Sequence, residues 1–122
     1  MIIGVGTDII EIERIKKSYE QFGERFFKRV FTSEEIAYCF SKKDPYPSLA
    51  IRFASKEALV KAAKLGKYHT NSWQDVSVSL SGEGLPGVTL FNDLERELEG
   101  TRIHLSMSHS DYYATAVVVI EK

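Results

Sequence analysis

Three groups of residues in this 122-residue chain have types and spacings that suit phosphate or proton chemistry. The first lies in RFASKEALVKAAKLG, residues 52–66, where Glu57 stands four residues before Lys61. On a helix these two are about 40° apart, so carboxylate and ammonium are neighbours. One reading is a surface ion pair in the favourable order, worth about 0.2–0.5 kcal/mol; the other is a metal ligand or base beside a phosphate-facing cation. The second group is Asp8, which follows Gly4 and Gly6 in GVGTDI. With Glu11 three residues on it fits a helix N-cap. Placed in a crevice beside Glu57, it fits Mg²⁺, which proteins commonly hold with two carboxylates and several waters. The third is HLSMSHS, residues 104–110, where alternation puts His104, Ser106 and Ser108 on one face and Leu105, Met107 and His109 on the other. His109 then leaves the strand on the core side, or at the turn, either as a packed hydrogen-bonding residue or as a ligand contact.

Other chemistries are excluded by what is missing. His69, His104, His109 and Cys39 have no usual zinc-ligand spacing. Ser110-Asp111 lacks the nucleophile elbow of a serine hydrolase, and GVGTDI lacks the glycine fingerprint and Lys-Ser/Thr of a phosphate loop. Cys39, the single cysteine, sits among apolar neighbours with no base nearby in sequence and reads as a reduced, partly buried thiol.

The elements that must position these groups follow from periodicity. Ile2, Ile3 and Val5 predict a buried strand ending at Thr7-Asp8. Apolar residues from Ile9 or Ile12 through Ile15, Tyr19, Phe22 and Phe26 recur at helical spacing, with Gly23 as a kink or break. A second helix starts at Phe31-Thr-Ser-Glu-Glu, where Thr32 and Glu35 form a capping box. Pro45 and Pro47 mark Lys42 to Ser48 as a loop. The next helix runs from about Ser48 to Leu65, closed by Gly66. Its core arc contains Ile51, Ala54, Ala58, Ala62 and Leu65, with Leu59 beside it. Lys56 falls opposite, in water, while Glu57 and Lys61 lie on the border of the arc. Asp75 to Leu80 alternates as a half-buried strand, pairing across SGEGLPG with Val88 to Leu90. Asn92 caps a short helix through Leu98; then Arg102 to Ser108 and the central strand Tyr113 to Ile120 form a hairpin. This order predicts an α+β fold with antiparallel strands.

The length, with 43% apolar and 27% charged residues, fits one domain over residues 1–122. No apolar run reaches eighteen residues and the start has no signal-peptide pattern, so a cytosolic protein is expected. A net charge of −1 argues against general nucleic-acid binding. The charge is uneven, however. ERIKKSYEQFGERFFKR, residues 13–29, has six basic residues against three acids, which leaves the remainder acidic. That suits either a solvated helix with pairs such as Glu24 and Lys28, or a steered encounter with an acidic partner.

Taken together and in order, GVGTDIIEIERI, FTSEE, RFASKEALVKA, Gly84-Leu85-Pro86 and RIHLSMSHSDYYATAVV closely resemble the holo-acyl-carrier-protein synthases, the short trimeric type of 4′-phosphopantetheinyl transferase. The resemblance covers nearly the whole chain. It implies transfer of 4′-phosphopantetheine from coenzyme A to a serine of apo acyl carrier protein, in fatty acid biosynthesis, releasing adenosine 3′,5′-bisphosphate. It further implies Mg²⁺ held by Asp8 and Glu57, with Glu57 also a base and Lys61 facing the departing phosphate. Arg52, His109 and Ser110 match positions that grip the nucleotide end. Arg14, Phe22, Arg25, Phe26, Lys28 and Arg29 resemble the surface that docks the carrier. Active sites between subunits of a homotrimer are implied as well. One departure stands out: Lys64 replaces a glycine of the family's Gly-Thr-Gly turn, and KLGKYHTNSW reaches Gly66 only later. Two further functions compete, a non-catalytic carrier- or nucleotide-binding subunit and a metal-dependent phosphohydrolase.

Overall fold

A computed structural model describes residues 1–63 and 73–122. The expected end of the third predicted helix at Gly66 and the Lys64 departure lie outside these. The chain opens with β1 (Ile2–Glu11), then α1 (Ile12–Phe22), α2 (Glu24–Val30), α3 (Ser33–Phe40) and the long α4 (Tyr46–Ala63). A 3₁₀ turn at Trp73–Asp75 leads into β2 (Val76–Leu80) and β3 (Pro86–Leu90). Finally come α5 (Asn92–Glu97), β4 (Arg102–His109) and β5 (Tyr113–Glu121). The described strands form two antiparallel sheets, β1-β5-β4 and the β2-β3 hairpin, so the α+β expectation holds and β5 is central as predicted.

β1 is longer than expected, and this moves Asp8. The strand pairs with β5 as far as Glu11 opposite Tyr113, with Asp8 opposite Ala116. Thr115 Oγ1 also donates to the Asp8 carbonyl oxygen at 2.9 Å. Asp8 is therefore within a strand, and the N-cap position of α1 is Glu11, which makes no side-chain capping bond. β1 lies against α4 through Gly4 and Gly6: a Cβ at either would overlap the backbone carbonyl of Ala62 or Ala58.

Gly23, with φ +64°, breaks the first helical stretch into α1 and α2. The Thr32–Glu35 capping box forms as read from sequence. α4 begins earlier than predicted, at Tyr46, because Pro47 falls in the first turn, where its missing N–H has no intrahelical partner to lose. Leu49, Ala50, Ala54, Ala58 and Leu59 are all at most 1% exposed. So is Lys56, which corrects its placement in water: neighbours cover α4 on several sides, so a one-faced wheel misplaces it. Its ammonium pairs with Glu35 Oε1 at 2.6 Å and donates to the Val30 and Trp73 carbonyls at 2.7 and 2.8 Å. Burial lowers the Lys56 pKa from the ordinary lysine value, against the opposing pull of Glu35. Removing one member of such a pair costs about 3–5 kcal/mol, since the other is left buried and unpaired.

Two smaller expectations are corrected. Asp75 belongs to the 3₁₀ turn, and Val76, Ser77 and Val78 are all buried, because the Ser77 hydroxyl is satisfied by Thr32 Oγ1 at 2.9 Å. Asn92 does not cap α5. It is the first helical residue, at φ 55°, and its amide donates to Asp75 Oδ1 instead.

Cys39 is fully buried, which pushes its thiol pKa up to about 11 from 9.0. Between these values the unfolded chain loses a proton that the folded chain keeps, so this group's contribution to stability falls as pH rises from 9 toward 11. At pH 8, alkylation of the native protein by iodoacetamide should be at least ~100-fold slower than in the urea-unfolded chain. Equal rates would show that the thiol is accessible in the folded state.

Candidate active site

Asp8, Glu57 and Lys61 are brought together by the close seating of α4 on β1. All three line one cleft of about 360 Å³, with Ile10, Arg14, Ile15, Ser18, Phe26 and Phe53. Lys61 reaches across to β1, donating to the Thr7 carbonyl at 3.0 Å and to Asp8 Oδ1 at 3.1 Å. The Asp8 side chain is 17% exposed and that of Lys61 54%. Asp8 is thus held by its strand, while Lys61 can follow a ligand. Glu57 is half-buried on the α4 wall of the same cleft. Among the described residues no three His, Cys, Asp or Glu side chains form a closed metal cage, so any ion here would draw its other ligands from water or substrate.

The cleft runs into the basic helices. Phe26 and Phe53 are shared with an adjoining groove of about 320 Å³ whose other walls are Phe22, Arg25, Arg29, Val30 and Trp73. Phe53 and Trp73 stack with ring centroids 5.1 Å apart. Of the predicted docking residues, Arg14 faces the first cleft, and Phe22, Arg25, Phe26 and Arg29 the groove. Lys28 lines neither; it is exposed and lies 3.8 Å from Glu24.

Arg52 and His109 meet elsewhere. They line a separate cleft of about 570 Å³ with Tyr38, Ser48, Ser106 and Ser108. Arg52 is 2% exposed, donating from Nε to the Val78 carbonyl at 3.2 Å and from Nη1 to the Ser48 carbonyl at 3.1 Å, with its guanidinium 4.5 Å over the Tyr38 ring. His109 is exposed at the end of β4, where its Nδ1 lies 3.0 Å from the Ser110 carbonyl oxygen. Ser110 does not line this cleft. Its hydroxyl accepts the Tyr112 and Tyr113 N–H groups, at 3.4 and 3.2 Å, and so shapes the β4–β5 turn.

Arg52 and Glu57 are five residues apart, about 140° round the helix, so α4 separates the two clefts. Sequence reasoning missed Phe53, Tyr38 and Trp73. Phe53 was readable, since it precedes Glu57 by four residues and must share its face; Tyr38 and Trp73 come from other elements and gave no local signal.

The outward face of the large sheet is apolar. Ile3, Val5 and Ile9 of β1 are 41%, 61% and 66% exposed, and Val117 of β5 is 40% exposed. Val5 pairs with Val119, and Thr7 with Val117, so these residues form one contiguous patch.

Residues 4–118 match the family model for the 4′-phosphopantetheinyl transferase superfamily. A holo-[acyl-carrier-protein] synthase of Chlamydia muridarum (strain MoPn / Nigg) is 49% identical over 120 residues, covering 98% of this chain and 95% of the relative. The crystal structure of a holo-[acyl-carrier-protein] synthase from Neisseria meningitidis superposes with TM-score 0.87 at 34% identity, covering all of both chains. That of the Helicobacter pylori enzyme in complex with coenzyme A does so with TM-score 0.81 at 32% identity, covering 96% of this chain and 99% of that one. In sequence over nearly its whole length, and in the arrangement of its helices and two antiparallel sheets, the chain belongs to the 4′-phosphopantetheinyl transferase superfamily.

Proposed function

We infer that the chain transfers 4′-phosphopantetheine from coenzyme A to a serine hydroxyl of an apo acyl carrier protein, releasing adenosine 3′,5′-bisphosphate, as a step that supports fatty acid synthesis. The observation that carries this reading is the first cleft. It sets two carboxylates and an ammonium against Arg14, Phe26 and Phe53, so a phosphate-handling centre opens onto the wall of a basic, aromatic groove. An acidic carrier helix docked in that groove would present its serine where the pyrophosphate must lie. Arg14, Arg25 and Arg29 supply the charge, and Phe22, Phe26 and Phe53 the apolar contact.

Asp8 and Glu57 suit Mg²⁺, because two carboxylates on one cleft leave room for waters and phosphate oxygens. Bound there, Mg²⁺ would neutralise charge on the pyrophosphate. Glu57 takes the serine proton, directly or through water, as the hydroxyl oxygen forms its bond to the pantetheine-bearing phosphorus. The bond from that phosphorus to the bridging oxygen breaks, and the nucleotide leaves with the electron pair. Lys61 balances or protonates this departing phosphate, and its exposure gives it the freedom to move from Asp8 to the substrate.

Arg52 and His109 hold the nucleotide end, but the cleft they line is on the far side of α4 from Glu57. A single copy therefore divides the site. A homotrimer completes it, burying the apolar sheet face of Ile3, Val5, Ile9 and Val117 and bringing one copy's Arg52 cleft to the next copy's Asp8 cleft. Among the described residues no helix is long and apolar enough to cross a membrane, which is compatible with a cytosolic assembly.

Incubation with coenzyme A, Mg²⁺ and apo carrier should raise the carrier mass by one phosphopantetheine, and Glu57→Gln should slow this ~100-fold or more while the assembly mass stays unchanged. No mass gain in the presence of tight carrier binding would instead support a binding subunit. Arg25→Glu should raise the carrier KM ~10-fold and leave the coenzyme A KM within ~2-fold. Equal changes in both constants would contradict docking at the groove.

A further inference from the structure

Glu35 and Lys56 take no part in the proposed reaction, yet both side chains are wholly buried, and each hydrogen-bonds toward a different binding surface. Glu35 Oε1 accepts from the Thr32 N–H at 2.9 Å and from Lys56 at 2.6 Å; its Oε2 accepts the Val78 N–H at 2.8 Å. The carbonyl of that same residue, Val78, accepts Arg52 Nε–H at 3.2 Å. Val78 is thus gripped on one side by Glu35 and on the other by Arg52, and the Thr32–Ser77 hydroxyl bond fixes the preceding residue of β2. Lys56 secures the other end through the carbonyls of Val30 and Trp73, both residues of the aromatic groove.

We propose that the Glu35–Lys56 pair is a positioning unit for Arg52, fixing the Val78 peptide and through it the guanidinium that faces the nucleotide. Arg52 has few other restraints: it donates to Ser48, one turn earlier on its own helix, and otherwise meets the Tyr38 ring and the weakly bonding Cys39 thiol of α3. Without a fixed Val78 carbonyl, Arg52 loses its hydrogen bond to β2, which is the backbone anchor it has outside α4 among the described residues. The proposal rests on Arg52 gripping the nucleotide end, as inferred above.

Glu35→Gln separates the two arms of the pair. A glutamine has one acceptor oxygen, which two donors, Thr32 N–H and Lys56, hold in the Oε1 position, so its NH₂ is turned against the Val78 N–H. Lys56 loses its counter-charge, which lowers stability, but keeps its bonds to the Val30 and Trp73 carbonyls and so still ties the aromatic groove. The coenzyme A KM should therefore rise ~10-fold, with kcat and the carrier KM each within ~3-fold of the parent. Arg52→Lys, which keeps the charge but loses Nε–H, should raise the same KM, and the double variant should be no worse than Arg52→Lys alone. Ser77→Ala, which removes only the hydroxyl bond to Thr32, should raise the coenzyme A KM ~3-fold with an unchanged circular dichroism spectrum; it carries the test if Glu35→Gln does not fold.

Effects of Glu35→Gln and Arg52→Lys that multiply in the double variant, or a Glu35→Gln loss spread equally over kcat and both KM values, would overturn the positioning role. So would a coenzyme A KM unchanged in Ser77→Ala and Glu35→Gln while Arg52→Lys raises it. An unchanged coenzyme A KM in Arg52→Lys would instead overturn the assignment of Arg52 to the nucleotide.

Discussion

The close contact between α4 and β1 is the constraint on which the rest of the molecule depends. Gly4 and Gly6 remove the two Cβ atoms that would otherwise meet the carbonyls of Ala62 and Ala58. Alanines at 58 and 62, both at most 2% exposed, complete a contact made of small residues. At that separation Lys61 spans from helix to strand and bonds both Thr7 and Asp8. A helix held farther out by side chains would leave Asp8 and Glu57 on unconnected surfaces. Tight packing here creates the proximity of charges on which the proposed chemistry rests.

Covering α4 on several sides has a second consequence. A helix that carries Arg52 and Lys56 through the interior must satisfy each polar group locally, and among the described residues no buried side-chain nitrogen or oxygen lacks a hydrogen-bond partner. Lys56 is matched by Glu35 and two carbonyls, and Arg52 by Val78, Ser48 and the Tyr38 ring. The same geometry sends Arg52 and Glu57 to different clefts. On the proposed function, one helix would serve both ends of a long substrate with the substrate lying between copies, and the exposed apolar face of β1 and β5 offers a surface on which copies can associate.

Local signals in the sequence were read correctly where the competing interactions were local too. The Thr32–Glu35 box, the break at Gly23 and the β4–β5 hairpin each depend on neighbouring residues. Asp8 was different: Asp-x-x-Glu is a fair capping signal, but pairing with β5 more than a hundred residues away extends the strand through it. Lys56 was misplaced because a helical wheel identifies one core arc and cannot show that Glu35, from another helix, waits on the opposite side. Pro47 looked like a loop residue because proline breaks helices from within, yet it serves in a first turn. The cleft itself, with Asp8, Glu57 and Lys61, was legible as a set of types in order. That Arg52 and His109 would line a second cleft was not, since it depends on how far round α4 Arg52 points from Glu57 and on where the end of β4 packs.

The proposed sharing of one site between copies is tested most directly by mixing two inactive copies. Glu57→Gln and Arg52→Ala chains, separately tagged, co-expressed and assayed at coenzyme A well below the wild-type KM, would assemble on this reading into mixed trimers in which some interfaces pair an intact Asp8–Glu57 cleft with an intact Arg52 cleft. If each site draws on two copies, purified mixed trimers carrying both tags should recover transfer at about a third of the wild-type sites, because each such ring has one interface of the right kind out of three. Activity no higher than the average of the two parents would contradict a site shared between copies.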